Sequence, residues 1–155
     1  MIFPAPEPAV PADLPDLVRM DREAFCPPWS RAAFAAELAS DHSRVRVIRS
    51  SNGSARVAAF LVMRLLADEM EILRVAVAET FRRRGLALRL LEAGMAEARA
   101  AGAASAFLEV RPANLPARRL YERLGFVPAG RRPGYYAATG EDALIWTRAL
   151  EKEVE

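Results

Sequence analysis

The sequence predicts an α/β domain, on three observations. Segments with apolar residues at helical spacing stand on either side of a stretch whose apolar residues alternate or run together as strands do. Glycines 85, 102 and 125 punctuate the second half, where helix-like and strand-like segments take turns. No segment repeats, and 155 residues, 52% of them hydrophobic, suffice for one core. One domain over residues 1–155 is the expectation.

Residues 4 to 11, rich in proline and alanine, read as an extended lead-in. Asp13 stands where it can cap a first helix, with Pro15 in the first turn and Leu14, Leu17, Val18 and Phe25 as apolar positions. Cys26-Pro27-Pro28 breaks that helix, and Ser30 heads a short second one carrying Phe34 and Leu38. From Arg44 the period changes. Val45 and Val47 alternate with arginines, Asn52-Gly53 signals a tight turn, and Val57 to Leu66 is a longer apolar run, together a hairpin. Met70 to Val77 is apolar on both faces, as a central strand would be. A helix follows Gly85 on Leu86, Leu90, Leu91, Met95 and Ala98, and Gly102 stops it. Ala106 to Val110 is a strand, Asn114 to Leu124 a helix ending at Gly125, and strands begin at Phe126 and run from Ala143 to Leu150.

Composition excludes several classes. A net charge of +2, from 22 basic and 20 acidic side chains, is too small for bulk nucleic-acid binding. Cys26 and His42 are the only cysteine and histidine, which leaves no internal disulfide, no four-thiolate zinc and no Ser-His triad away from His42. No metal is expected. The first residues lack the basic and apolar regions of a signal peptide, and no apolar run approaches the ~18 residues of a membrane span. The chain is therefore expected in the cytoplasm, away from membranes.

A strand running into Arg82-Arg83-Arg84-Gly85 and then a helix makes an anion site. The first-turn N–H groups point outward, and Gly85 lets a phosphate approach the backbone. Alone, the triplet serves equally well as a solvated basic turn. It is neither a Walker A loop, lacking Gly-Lys-Ser/Thr, nor a Rossmann fingerprint, lacking the spaced glycines.

Val75-Ala76-Val77 followed by Arg82-x-x-Gly85-x-Ala87 resembles the acetyl-CoA motif of the GNAT superfamily of N-acetyltransferases. Asn114-x-x-Ala117-x-x-Leu120-Tyr121-x-x-x-Gly125-Phe126 resembles that family's second block. The resemblance implies a central mixed, mostly antiparallel sheet of six to seven strands, splayed at the acetyl-CoA site and flanked by about four helices. Leu108-Glu109-Val110-Arg111-x-x-Asn114, Tyr135-Tyr136, Glu141-Asp142-Ala143 and Pro28-Trp29-Ser30 look like the ribosomal-protein-alanine branch of the family, the RimI type, over about Trp29 to Trp146. It implies Glu109 as general base and Tyr121 as general acid. It further implies cofactor contacts from Val75, Ala76, Val77, Arg82, Arg83, Arg84, Gly85, Leu86, Ala87, Leu88 and Asn114. Ala87 stands where glycine is common, and Pro116 lies in a first helical turn, where proline is acceptable.

Each residue also has a plain structural reading. Glu109 can pair with Arg111 or another cation, Tyr121 can be a packed aromatic, and Asn114 can simply cap its helix. Trp29, Tyr135 and Tyr136 line a peptide groove or pack as core and lid. Glu141 and Asp142 form a solvated turn or attract a basic peptide. Arg118, Arg119 and Arg123 reach a 3′-phosphate or solvent, and ribosomal RNA contact by the basic stretch 118–132 is the weaker idea. Cys26, without a basic partner nearby in sequence, is not read as a nucleophile, and His42 reads as loop.

Attack on a thioester requires a neutral amine. At pH 7 an N-terminal amine of pKa ~7.8 loses its proton for roughly 1 kcal/mol, whereas lysine at ~10.4 needs roughly 4.6. A carboxylate base suits the first task. With the α-amine favoured on these grounds, the resemblance implies as the leading expectation an acetyl-CoA-dependent peptide Nα-acetyltransferase acting on the N-terminal alanine of a small-subunit ribosomal protein, as a monomer or weak dimer. The alternatives are a GNAT for small amines or lysine, which a closed pocket would favour, and a non-catalytic acetyl-CoA or protein-binding module.

Overall fold

Two helices lead the chain, α1 (Leu14–Ala24) and α2 (Arg31–Ala39), in the computed structural model, which describes residues 2–50 and 56–150. Ser30 caps α2, its hydroxyl accepting the Ala33 N–H at 3.1 Å. Asp13 does something else. It stands at the head of α1 without capping that helix: its carboxylate accepts the Val10 N–H at 2.9 Å, at the start of the preceding 3₁₀ turn, and pairs with Arg49 at 2.7 Å. A carboxylate only 5% exposed is better compensated by a guanidinium than by amide dipoles.

The lead-in is also more than extended chain. Glu7–Pro8 forms β1, antiparallel to Arg46 and Val47 of β2 (Ser43–Arg49). β2 pairs antiparallel with β3 (Val57–Leu66), as the hairpin expectation requires; the Asn52-Gly53 turn lies outside the described residues. Then come β4 (Glu69–Val77), α3 (Leu86–Ala100), β5 (Ser105–Val110), α4 (Leu115–Arg123), β6 (Val127–Tyr136) and β7 (Glu141–Ala149). The seven strands lie in the order β1-β2-β3-β4-β5-β7-β6, and only β4 and β5 are parallel neighbours. The mixed, mostly antiparallel sheet with four helices is as expected.

Helices cover both faces of the sheet, as the apolar patterns demand. On one face α3 buries Leu90, Leu91 and Met95 against Leu61, Met63 and Met70. On the other, Leu17 and Met20 of α1 and Phe34 of α2 pack on Val45, Val47, Phe60 and Val62. β3 is the strand buried on both sides, from Val57 to Met63. β4 is central as expected, the fourth of the seven strands, but it is only half-buried at Leu73, Arg74 and Val75, because it borders a cleft.

That cleft begins where pairing ends. β4 and β5 stay in register from Glu69 with Ser105 to Ile72 with Leu108, and no further. Along its other edge β4 continues to pair with β3, but Leu73 is an extra residue: Met63 faces Ile72 and Val62 faces Arg74. Such a bulge bends and twists the strand that carries it, and here it coincides with the point where β4 leaves β5. Among the described residues no helix is long and apolar enough to cross a membrane.

Candidate active site

The divergence of β4 from β5 opens a cleft of about 1120 Å³ through the middle of the sheet. One wall is Leu73 to Val77 of β4, whose edge toward β5 has no strand partner. The other is Glu109, Val110 and Arg111, with Asn114, Pro116, Ala117, Leu120 and Tyr121 from the start and middle of α4. Main-chain N–H and C=O groups released from a ladder seek other partners. A polar, extended ligand lying along β4 would supply them.

At one end of the cleft lies the basic turn. Arg82 and Ala87 line it, while the side chains of Arg83 and Arg84 are exposed. Leu86 is buried in the core and Leu88 packs against it. Gly85 has φ +73° and Arg83 φ +64°, and the first helical bond runs from the Arg89 N–H to the Gly85 carbonyl at 3.1 Å. Helix geometry leaves the preceding N–H groups without intrahelical acceptors. An added Cβ at Gly85 would meet nothing within 4 Å, so the space before these amides is open. The donor set fits a phosphate group, since several N–H dipoles converge beside exposed guanidiniums.

Glu109 and Tyr121, distant in sequence, face the same cleft. Tyr121 is 6% exposed, held edge-to-face on Phe126 at 5.7 Å, and burial pushes its phenol above the usual tyrosine range. Glu109 is paired, as the plain reading anticipates, but with Arg132 of β6 rather than Arg111: Oε1 lies 3.2 Å from Nε. Arg111 instead reaches the Cys26 carbonyl at 2.6 Å and stacks 4.2 Å over the Tyr136 ring. Asn114 caps α4 by accepting the Ala117 N–H at 3.2 Å, and it lines the cleft as well.

Trp29, Tyr135 and Tyr136 all line the cleft as well. Trp29 also packs edge-to-face on Phe34, so groove and core readings hold together for it. Its loop is fixed by a pair that local sequence patterns do not reveal. Asp21 is fully buried, accepts the Trp29 N–H at 2.7 Å and lies 3.2 Å from Arg74, whose guanidinium sits 4.1 Å from the Phe25 ring and 4.8 Å from Trp29. Asp142 is no solvated turn residue either; it pairs with Arg131 at 3.2 Å and accepts the Gly134 N–H at 2.9 Å. Arg118 bonds the Pro112 carbonyl at 2.8 Å, while Arg119 and Arg123 are exposed.

A model of the acetyltransferase (GNAT) family matches residues 14–126. The chain is 36% identical over 135 residues to the ribosomal protein bS18-alanine N-acetyltransferase of Escherichia coli K12, covering 86% of this chain and 88% of that protein. Its fold is similar to the crystal structure of the ribosomal-protein-S18-alanine N-acetyltransferase from Escherichia coli, with a TM-score of 0.83 and 32% identity over 97% of this chain and 96% of that one. Ard1 from Thermoplasma volcanium is similar too, with a TM-score of 0.83 and 25% identity over 96% and 98% of the two chains.

Proposed function

The chain belongs to the GNAT acetyltransferase family, and from that premise we propose that it moves the acetyl group of acetyl-CoA onto the α-amine of a protein N-terminus, an alanine of a small-subunit ribosomal protein. The observation that carries the reading is the cleft between the splayed strands, lined together by Glu109 and Tyr121, by Arg82 and Ala87 of the basic turn, and by the Trp29, Tyr135 and Tyr136 rings. The likeness to the bS18-alanine enzyme supports the choice of substrate. Ribosomal proteins are made in the cytoplasm, which is where the reading puts the enzyme.

Each wall has its task. The amides from Gly85 to Leu88, with Arg82, Arg83 and Arg84 around them, bind the pyrophosphate, and the free edge of Val75, Ala76 and Val77 holds the pantetheine amides. Asn114 and Ala87 line the channel beside it. A β4 N–H polarises the thioester carbonyl. Glu109 takes the proton of the incoming ammonium, directly or through one water. The amine nitrogen then bonds to the carbonyl carbon as the C–S bond breaks, and the second proton that the nitrogen sheds on becoming an amide passes through solvent, which the departing thiolate can draw on. Tyr121 donates a hydrogen bond to the departing sulfur. Burial strengthens its hold on its own proton, so this side chain stabilises a thiolate rather than protonating it outright.

The test is thiol release from acetyl-CoA with short peptides differing only at residue one, plus an Nα-blocked peptide bearing a free lysine. Mass spectrometry locates the acetyl group. Acetylation confined to the α-amine of alanine-initiated peptides is the expected result. Turnover of only the lysine or of small amines, with N-termini untouched, would sink the reading.

A further inference from the structure

The strand carrying Tyr135 and Tyr136 leaves its register beside Glu109. Arg132 of β6 faces Ala143 of β7 and Tyr136 faces Glu141, so Pro133, Gly134 and Tyr135 stand opposite Asp142 alone. The excess chain is pinned. Gly134 takes φ +60° and gives its N–H to one oxygen of Asp142, whose other oxygen holds Arg131. The bulge brings two side chains to one carboxylate. Arg132 lies 3.2 Å from Glu109, and Tyr135 stands close enough for the negative charge of the same group to push its phenol up. The guanidinium also faces the Tyr135 ring at 5.7 Å.

A base awaiting an ammonium is therefore already occupied by a cation. The arrangement can yield, because the Arg132 side chain is 55% exposed, and exposed ion pairs hold by at most about 1 kcal/mol. A displaced guanidinium also has somewhere to go. Glu71 of β4, within electrostatic reach of both Arg132 and Glu109, offers a second carboxylate. Guanidinium keeps its charge at every relevant pH, so Arg132 competes for Glu109 as a cation and never as a proton donor that is consumed.

We infer that Arg132 is a displaceable latch: its guanidinium occupies on Glu109 the place that the substrate's α-ammonium takes in the productive complex. Binding is then an exchange of one cation for another. Arg132 is a positioning residue, and the inference rests on Glu109 being the base.

The test compares wild type with Arg132→Gln, Arg132→Lys and Glu109→Gln. An alanine-initiated peptide is used at saturating acetyl-CoA, in about 0.01 M and about 0.15 M salt, where the Debye length is roughly 30 and 8 Å. In the wild type one pair replaces another, so the peptide KM changes little with salt. In Arg132→Gln the substrate makes a pair where none stood. Its peptide KM is about two- to fivefold below wild type at low salt, the range an exposed pair can supply, and rises with salt, while the acetyl-CoA KM stays put. Arg132→Lys restores the wild-type pattern. A peptide KM in Arg132→Gln at or above the wild-type value, or a salt response like that of wild type, overturns the latch. Full kcat in Glu109→Gln overturns the base assignment, and the latch with it.

Discussion

Tyr121 presents a phenol that burial keeps protonated beyond the pH at which an exposed tyrosine ionises. Its donor form persists through pH 10, so it contributes no falling limb there to the rate profile. A hydrogen bond to a charged group is worth about 1.5–3 kcal/mol. Tyr121→Phe should therefore lower kcat about 10- to 150-fold, with both KM values near wild type, in a thiol-release assay. An unchanged kcat would show that the sulfur departs without its help. Gly85 is the other residue whose identity decides something, because its φ of +73° strains any side chain by about 1–2 kcal/mol. The tight turn at Gly85 was legible from spacing, and the resemblance singled out Tyr121, which lines the cleft. Arg132 was not, since nothing in a run of exposed arginines marks which one meets Glu109.

Among the elements, the 3₁₀ turn ahead of α1 is tied to β2 by Asp13 and Arg49. Burial by itself would raise the Asp13 carboxyl. Hydrogen bonds from Arg49 and the Val10 N–H, with the Arg49 charge, prevail and hold it below the usual carboxylate range. The fold thus favours the ionised form. The stability this contributes is present above about pH 4 and is lost as pH falls through the depressed value. Asp13→Asn should cost about 1–3 kcal/mol at neutral pH in urea unfolding and flatten the acid loss of stability below about pH 4. An identical acid slope in the variant would show that other carboxylates carry it. The helix itself was legible, but the Asp13 role was not, because a cap and a long-range ion pair use the same residue type.

For the whole molecule, the splay leaves β4 and the start of α3 with unpaired main-chain groups between two packed faces. A ligand that fills this gap binds only the folded state. Acetyl-CoA at about a hundred times its Kd should therefore add about 2.7 kcal/mol of stability. For a chain of this size that is a rise in Tm of roughly 5–10 °C, read in a thermal scan. Gly85→Ala should shrink the rise by distorting the turn proposed to hold the phosphates. No rise in the wild type would mean that the gap is not where the acetyl donor sits.

What the sequence determined by itself is what short-range physics decides. Ser30 and Asn114 cap their helices, Gly102 and Gly125 follow helix ends, and the alternating valines from 45 begin the hairpin, because each depends on neighbours a few residues away. The acetyl-CoA motif was legible for the same reason, being a strand, a turn and a helix start in succession. Tertiary structure decided how those pieces meet. The parting of β4 from β5, the burial of Asp21 with Arg74, and the pairing of Glu109 with Arg132 join residues far apart in the chain. Every arginine presents the same charge to the sequence reader. Which carboxylate it satisfies depends on the surfaces that burial has already pressed together, since an ion pair adds far less than the apolar cores that set the frame.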